Sequence, residues 1–381
     1  MRKYQISGFI FRNSKFIKII FYYLVYSYLL IYDFASKAKK NKKCLPIKNP
    51  KKILISNIAA LGDTVITSSI IPFIKNHFPN AMLFFLCNSY SKPLTEKLPS
   101  IYKAFCFDHL RHNRQKISFI KKIIKHYQTR RSALNQIKKE KIDLAIDFHV
   151  HNPNAVKLLH KAKIKSIAAY TCAGYKNLLT HKVQKPFIPI WHLSQYFLYL
   201  LNSILEKKEK ITPLTPNLPD VKEPVYKELK KYENKNYILI HIGASHKTRY
   251  IKPNQIRKIL KIIPEDNLVL FIGSGIEEQK VIEKMIKNRT NCINLANKLH
   301  VLDLIYLCNN AQMVISSDSA ISHIASCFDY PQIVFFYTPY IPHHNLWALN
   351  KPNIRIVAPK KENQKKVFKL KFLFNRVTKN A

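Results

Sequence analysis

The sequence predicts an α/β protein made of two doubly wound parallel-sheet halves. Three observations carry that expectation. Short apolar runs alternate with helical stretches, as strands buried on both faces and their crossover helices do. The alternation stops in a proline-bearing stretch and then resumes. Glycine, only 6 in 381 residues where an average composition of about 7% would give roughly 27, is kept mainly just after predicted strands, where a turn needs it. With 47% hydrophobic residues the chain can bury the cores of two domains, which excludes disorder for most of its length.

In the first half, strands are predicted at 53–56, 82–87, 104–107 and 144–148, with helices such as 65–76 and 118–138 between them. The pattern fades near Leu205. Residues 211–236 carry prolines at 213, 216, 219 and 224 without a sustained apolar period and read as a linker. The second half predicts strands at 237–242, 268–272, 313–316 and 332–336, and helices near 253–263, 277–287, 301–309 and 320–327. The expected partition is an N-terminal membrane-associating segment 1–48, a first Rossmann-like domain 49–210, the linker 211–236, a second Rossmann-like domain 237–358 and a basic C-terminal segment 359–381. Two such halves place a ligand cleft between the carboxyl ends of their strands. The absence of a G-x-G-x-x-G or G-x-x-x-x-G-K-[ST] fingerprint weighs against simple dinucleotide oxidoreductases and P-loop NTPases.

Sixty-four Lys+Arg against 22 Asp+Glu give a net charge of +42. Nucleic acid, an anionic membrane face or a phosphorylated ligand would all suit it, and most of the excess reads as solvated surface. No RNA-recognition signature, KH loop or zinc finger accompanies it, so nucleic acid is not expected as a partner. The seven cysteines form no C-x-x-C pair and read as reduced core thiols. The pairs His149/His151 and His343/His344 have no carboxylate or thiol at helical spacing, so neither a metal nor a cofactor is expected. Residues 16–34 are nearly all apolar or aromatic and are flanked by cations. The uninterrupted stretch 19–32 is short of the roughly 20 residues that span a bilayer, which favours an in-plane helix on an anionic leaflet over docking on the protein's own core.

Four turns carry the candidate chemistry. ILISNIAALGD, residues 53–63, is a strand, a turn and a helix opening at Asp63, a carboxylate fit to be an N-cap or a base. HIGASHKTR, residues 241–249, ends a strand in a turn whose Ser245, Lys247 and Arg249 suit phosphate oxygens. FIGSGIEE, residues 271–278, sets Glu277 where a ribose hydroxyl could be met. SDSAISHIA, residues 317–325, contains Asp318, Ser319 and His323 at a helix start whose N–H groups suit an anion. In this order, together with DFHVHNPNAVKLL from Asp147, the run 192–201 and the segment 294–304, these motifs resemble the lipopolysaccharide heptosyltransferases over residues 51–350.

The resemblance implies a GT-B fold and transfer of a heptose from ADP-heptose, with inversion and without metal, to a lipopolysaccharide core acceptor. Asp63 matches the catalytic base of that family and Arg249 the cation on the donor diphosphate. Glu277 matches a ribose contact, and Asp318 with Ser319 the donor-binding helix start. Departures fall on the donor side: Ala320, Ile321 and Ser322 stand where the family has Gly, Pro and Met, and residues 336–339 lack the family's Gly. The basic stretch with Arg111, Arg114, Lys121 and Lys122 suits a phosphorylated lipid-linked oligosaccharide acceptor, or is a solvated helix face. The expected location is peripheral, on the cytoplasmic face of the inner membrane. The alternatives are a glycosyltransferase of the same fold using another nucleotide sugar and a non-catalytic nucleotide-sugar-binding protein.

Overall fold

The computed structural model describes residues 47–358 apart from 111, 114, 116, 151–154, 172–174 and 337–342. The expected N-terminal helix at 16–34, the segment 359–381 and the candidate acceptor residues Arg111 and Arg114 lie outside the described residues. The first half runs β1 (Lys52–Ser56), α1 (Leu61–Ser68), α2 (Ile71–His77), β2 (Met82–Cys87), α3 (Lys92–Thr95), β3 (Ile101–Cys106), α4 (Phe119–Glu140), β4 (Leu144–Asp147), α5 (Val156–Lys161), β5 (Ser166–Tyr170), β6 (His181–Val183) and α6 (Leu193–Asn202). The second runs β7 (Tyr237–His241), α7 (Pro253–Ile262), β8 (Leu268–Ile272), α8 (Ile276–Ile286), β9 (Cys292–Asn294), α9 (Val301–Asn309), β10 (Met313–Ser317), α10 (Ala320–Ala325), β11 (Gln332–Phe335), α11 (His343–Trp347) and β12 (Ile354–Val357).

Both sheets are parallel and share one topology. The first has the order β3-β2-β1-β4-β5-β6, and the second the equivalent β9-β8-β7-β10-β11-β12. The direction of winding reverses between β1 and β4 and again between β7 and β10. An open α/β sheet has its natural crevice at such a reversal, outside the carboxyl ends of the strands. Ser56 lies opposite Asp147 at the first reversal and Ser316 opposite His241 at the second. One apolar cluster draws on both halves, from Val65 and Ile66 of α1 through Leu200 and Leu201 of α6 to Ile321 and Ile324 of α10.

The structure departs from the sequence reading in three places. The single helix expected over 65–76 is two, α1 and α2. Pro72 offers no N–H to Ser68, and the hydroxyls of Ser68 and Ser69 donate back to the carbonyls of Val65 and Ile66, both at 2.7 Å, competing with the helical ladder. Four strands were not anticipated: β5, β6, β9 and β12. The linker stretch is anchored: Lys227–Tyr232 forms a 3₁₀ turn with Leu229 and Tyr232 buried, and the Asp303 carboxylate at the start of α9 accepts the Val225 N–H at 2.6 Å.

Candidate active site

The turn after β1 is built by its own side chains. Asn57 accepts the Ala59 N–H at 3.2 Å and donates to the Thr67 hydroxyl at 2.8 Å, which in turn donates to the Asp63 carbonyl at 2.7 Å. Helix α1 begins at Leu61, two residues before the expected opening at Asp63, because Ala60 has no side-chain acceptor and the carboxylate reaches back to cap from the third helical position. Asp63 Oδ2 accepts the Ala60 N–H at 3.1 Å. The other seven residues of α1 are buried, so Asp63 is the helix's one partly exposed side chain.

The two halves meet beside it. A β-carbon on Gly62 would stand 2.8 Å from His323 Cδ2 and 3.5 Å from the Ala320 Cα, so only glycine lets α1 and α10 approach this closely. His323 is buried, and desolvation holds its imidazole down at about 4, against the raising effect of Asp318. Burial and the neighbouring His323 likewise push His192 down to about 3. Both rings are neutral at pH 7 and fill the joint between the halves without adding charge.

On the second half, Arg249 leads. Its guanidinium donates to Asp318 Oδ2 at 2.5 Å and to the Ser245 hydroxyl, and the pair is largely buried, with side-chain exposures of 13% and 4%. Arg249 Nε is buried and has no hydrogen-bond partner among the described residues. The hydroxyl of Ser319 is directed elsewhere: it lies 3.0 Å from His241 Nδ1, and burial lowers His241 to about 4. Lys247 is exposed and donates to Glu277 Oε1 at 2.6 Å, so these two candidates form a surface ion pair on the rim. Lys121 is exposed on α4, and the Lys122 ammonium donates to the Asn113 carbonyl at 3.2 Å.

Two carboxylates escaped the sequence reading. Glu278, rather than Glu277, turns inward: it is 4% exposed, accepts the Ser274 N–H at 3.1 Å and the Tyr250 hydroxyl at 2.9 Å, and occupies the space where a Gly243 side chain would stand. The signal was available, because Glu278 lies four residues before the buried Ile282 and so on the inner face of α8. Across the cleft, the Tyr90 phenol is raised by desolvation and then by the charge of Glu278.

Asp147 is the other. It ends β4 fully buried, accepts the Ser56 hydroxyl at 3.2 Å on Oδ1, and keeps a buried, unpartnered Oδ2. Desolvation raises its carboxyl to about 7, against the lowering effects of Ser56 and two backbone N–H groups. The folded state therefore binds a proton that the unfolded state has lost between about pH 4 and pH 7, and Asp147 makes stability fall as pH rises through that window. Asp147→Asn is expected to remove this contribution. Its melting temperature should gain on the wild type progressively from pH 4 to 7, by an amount corresponding to a few kcal/mol at pH 8. A constant offset between the two melting curves across that range would show that the Asp147 carboxyl titrates alike in the folded and unfolded chain.

Among the described residues, no group of three or more His, Cys, Asp or Glu side chains is placed to hold a metal ion, and no helix is long and apolar enough to cross a membrane.

Comparison with known proteins gives a consistent family. Residues 130–373, well over half of the chain, match the sequence family described as glycosyltransferase family 9 (heptosyltransferase). Lipooligosaccharide heptosyltransferase 2 of Haemophilus ducreyi is 22% identical over 318 residues, covering 77% of this chain and 85% of that protein. The structure of E. coli ADP-heptose lps heptosyltransferase II superimposes with a TM-score of 0.67 at 14% identity, over 87% of this chain and all of the other. E. coli heptosyltransferase WaaC with ADP-2-deoxy-2-fluoro heptose does so with a TM-score of 0.65 at 12% identity, over 87% of this chain and 100% of that one. These likenesses establish the fold as the GT-B arrangement of two Rossmann-like halves.

Proposed function

The chain belongs to glycosyltransferase family 9, the heptosyltransferases, and from that premise we propose that it moves a heptose from ADP-heptose, with inversion, to a lipopolysaccharide core acceptor, Asp63 acting as general base. The observation that carries the reading is the meeting of α1 and α10 at Gly62 and His323. It brings the first turn of α1, which bears Asp63, against His323, whose ring feels the charges of Asp318 and Arg249. Its likeness to a lipooligosaccharide heptosyltransferase and to a heptosyltransferase solved with ADP-2-deoxy-2-fluoro heptose supports the acceptor and donor chemistry.

The acceptor's hydroxyl oxygen attacks the anomeric carbon of the donor sugar while the Asp63 carboxylate takes the proton. The bond from that carbon to the diphosphate oxygen breaks, and the electron pair leaves with the nucleoside diphosphate. Arg249 and the backbone N–H groups at the start of α10 meet the growing negative charge. In this scheme Asp318 and Ser245 position Arg249, and Ser319 and His241 steady the strand ends beneath it. Glu278 or Glu277 faces the ribose, and Lys121 and Lys122 belong to the acceptor side. A membrane surface is the remaining partner, approached through residues 1–48 from the cytoplasm.

Calorimetry against a donor panel tests the donor assignment. ADP-heptose is expected to bind, and uridine-linked sugars to bind at least tenfold more weakly, about 1.4 kcal/mol. The reverse order would assign the chain, with its Ala320-Ile321-Ser322 variation, to a different nucleotide sugar.

A further inference from the structure

Helix α4 is apolar on the wrong side for a helix that only covers a sheet. Its inner face is defined by Ala133 and Ile137, fully buried, and by His126 and Thr129, which pack against the Asp108 backbone at 3.3 and 3.0 Å. The outer face carries Ile120, Ile124 and Tyr127 at 70%, 49% and 64% exposure, in line with the exposed Arg131. The spacing 120, 124, 127, 131 is one stripe of a helix. Phe119, 70% exposed, and the exposed Lys121 flank it at the helix start. Lys125 faces Asp108 at 3.5 Å and Lys122 the Asn113 carbonyl, so those two cations are engaged inward. Among residues 119–140 the sole acid is Glu140, at the far end and paired with Lys103 at 2.9 Å.

We propose that the outward face of α4 docks on an anionic lipid surface. Aliphatic side chains and a tyrosine flanked by unneutralised cations are the composition of a helix that lies in the headgroup region, its apolar stripe inserted and its cations against lipid phosphates. The position fits delivery of a lipid-linked acceptor. Because α4 follows β3 of a parallel sheet, its first turn, with Phe119 and Ile120, stands at the carboxyl-end rim where the cleft opens. The proposal goes beyond the transferase reading and does not depend on which donor is used, and its test needs no transfer.

The full-length chain is sedimented with vesicles of phosphatidylcholine and of phosphatidylcholine with phosphatidylglycerol. Ile120→Glu/Ile124→Glu and, separately, Lys121→Gln/Arg131→Gln are each expected to weaken binding to the anionic vesicles by about tenfold or more, the second loss fading at high salt. Binding unchanged by both pairs overturns the proposal. Should the glutamate pair fail to fold, Ile124→Trp decides: its added emission is expected to shift blue on anionic vesicles only, and emission indifferent to vesicles would show that the chain's own residues 1–46 or another surface covers this face or meets the membrane instead. A concentration-dependent dimer that the glutamate pair converts to monomer would make the face a contact between two copies and also overturn the proposal.

Discussion

Asp63→Ala is expected to lower turnover by about 10²- to 10⁴-fold, the usual contribution of a positioned general base, while donor affinity stays near that of the wild type. The geometry also gives Asp63 a second duty, and the two must be separated. Its Oδ2 accepts the Ala60 N–H at 3.1 Å, so the alanine variant loses a cap as well as a base. Loss of such a cap costs about 1 kcal/mol of stability and leaves an assembled site. Asp63→Asn separates the duties, because the amide oxygen still accepts from Ala60 but the side chain no longer takes a proton. The asparagine variant should melt with the wild type and transfer as poorly as the alanine variant. Wild-type turnover in Asp63→Asn would reduce Asp63 to a helix cap, and another group would have to receive the proton.

The features readable in the sequence were those written locally. β2 and β8 are continuous apolar runs with the bounds expected of them, and α9 has the bounds its periodicity gives. β5 was missed because Ser-Ile-Ala-Ala-Tyr lacks branched and aromatic density, and β9 because three residues make no pattern. The site divides in the same way. The glycines after β1 and β7 marked real close approaches, Gly62 to His323 and Gly243 to Glu278, since a missing side chain is a local fact with a spatial cause. Asp147 opens the DFHVHNPNAVKLL stretch, yet its burial is set by Ser56, 91 positions away, and by neighbours that no local pattern reveals. The two acids that open α8 differ in helical phase, which the motif alone does not display: Glu277 pairs with Lys247 at the surface while Glu278 is buried against Gly243 and Tyr250.

The pair least visible in the sequence supports the other large prediction. Arg249 and Asp318 are 69 positions apart and 2.5 Å from each other, with little exposure on either side. Arg249→Ala is expected to reduce turnover by about 10²- to 10³-fold, the scale of losing one preorganised donor to a developing anion. It should also destabilise the fold by about 3 kcal/mol, because the buried Asp318 carboxylate loses the guanidinium that faces it. The stability loss alone could lower activity, so the decisive protein is Arg249→Ala/Asp318→Ala, which removes the stranded carboxylate together with the guanidinium. Denaturant titration should show the double variant recovering much of the stability that the single variant loses. Kinetics with saturating donor should show no recovery of turnover, since the leaving diphosphate still meets no cation. Recovery of both together would mean that Arg249 serves the fold through Asp318 and that the charge of the departing diphosphate is met elsewhere, at the N–H groups that open α10.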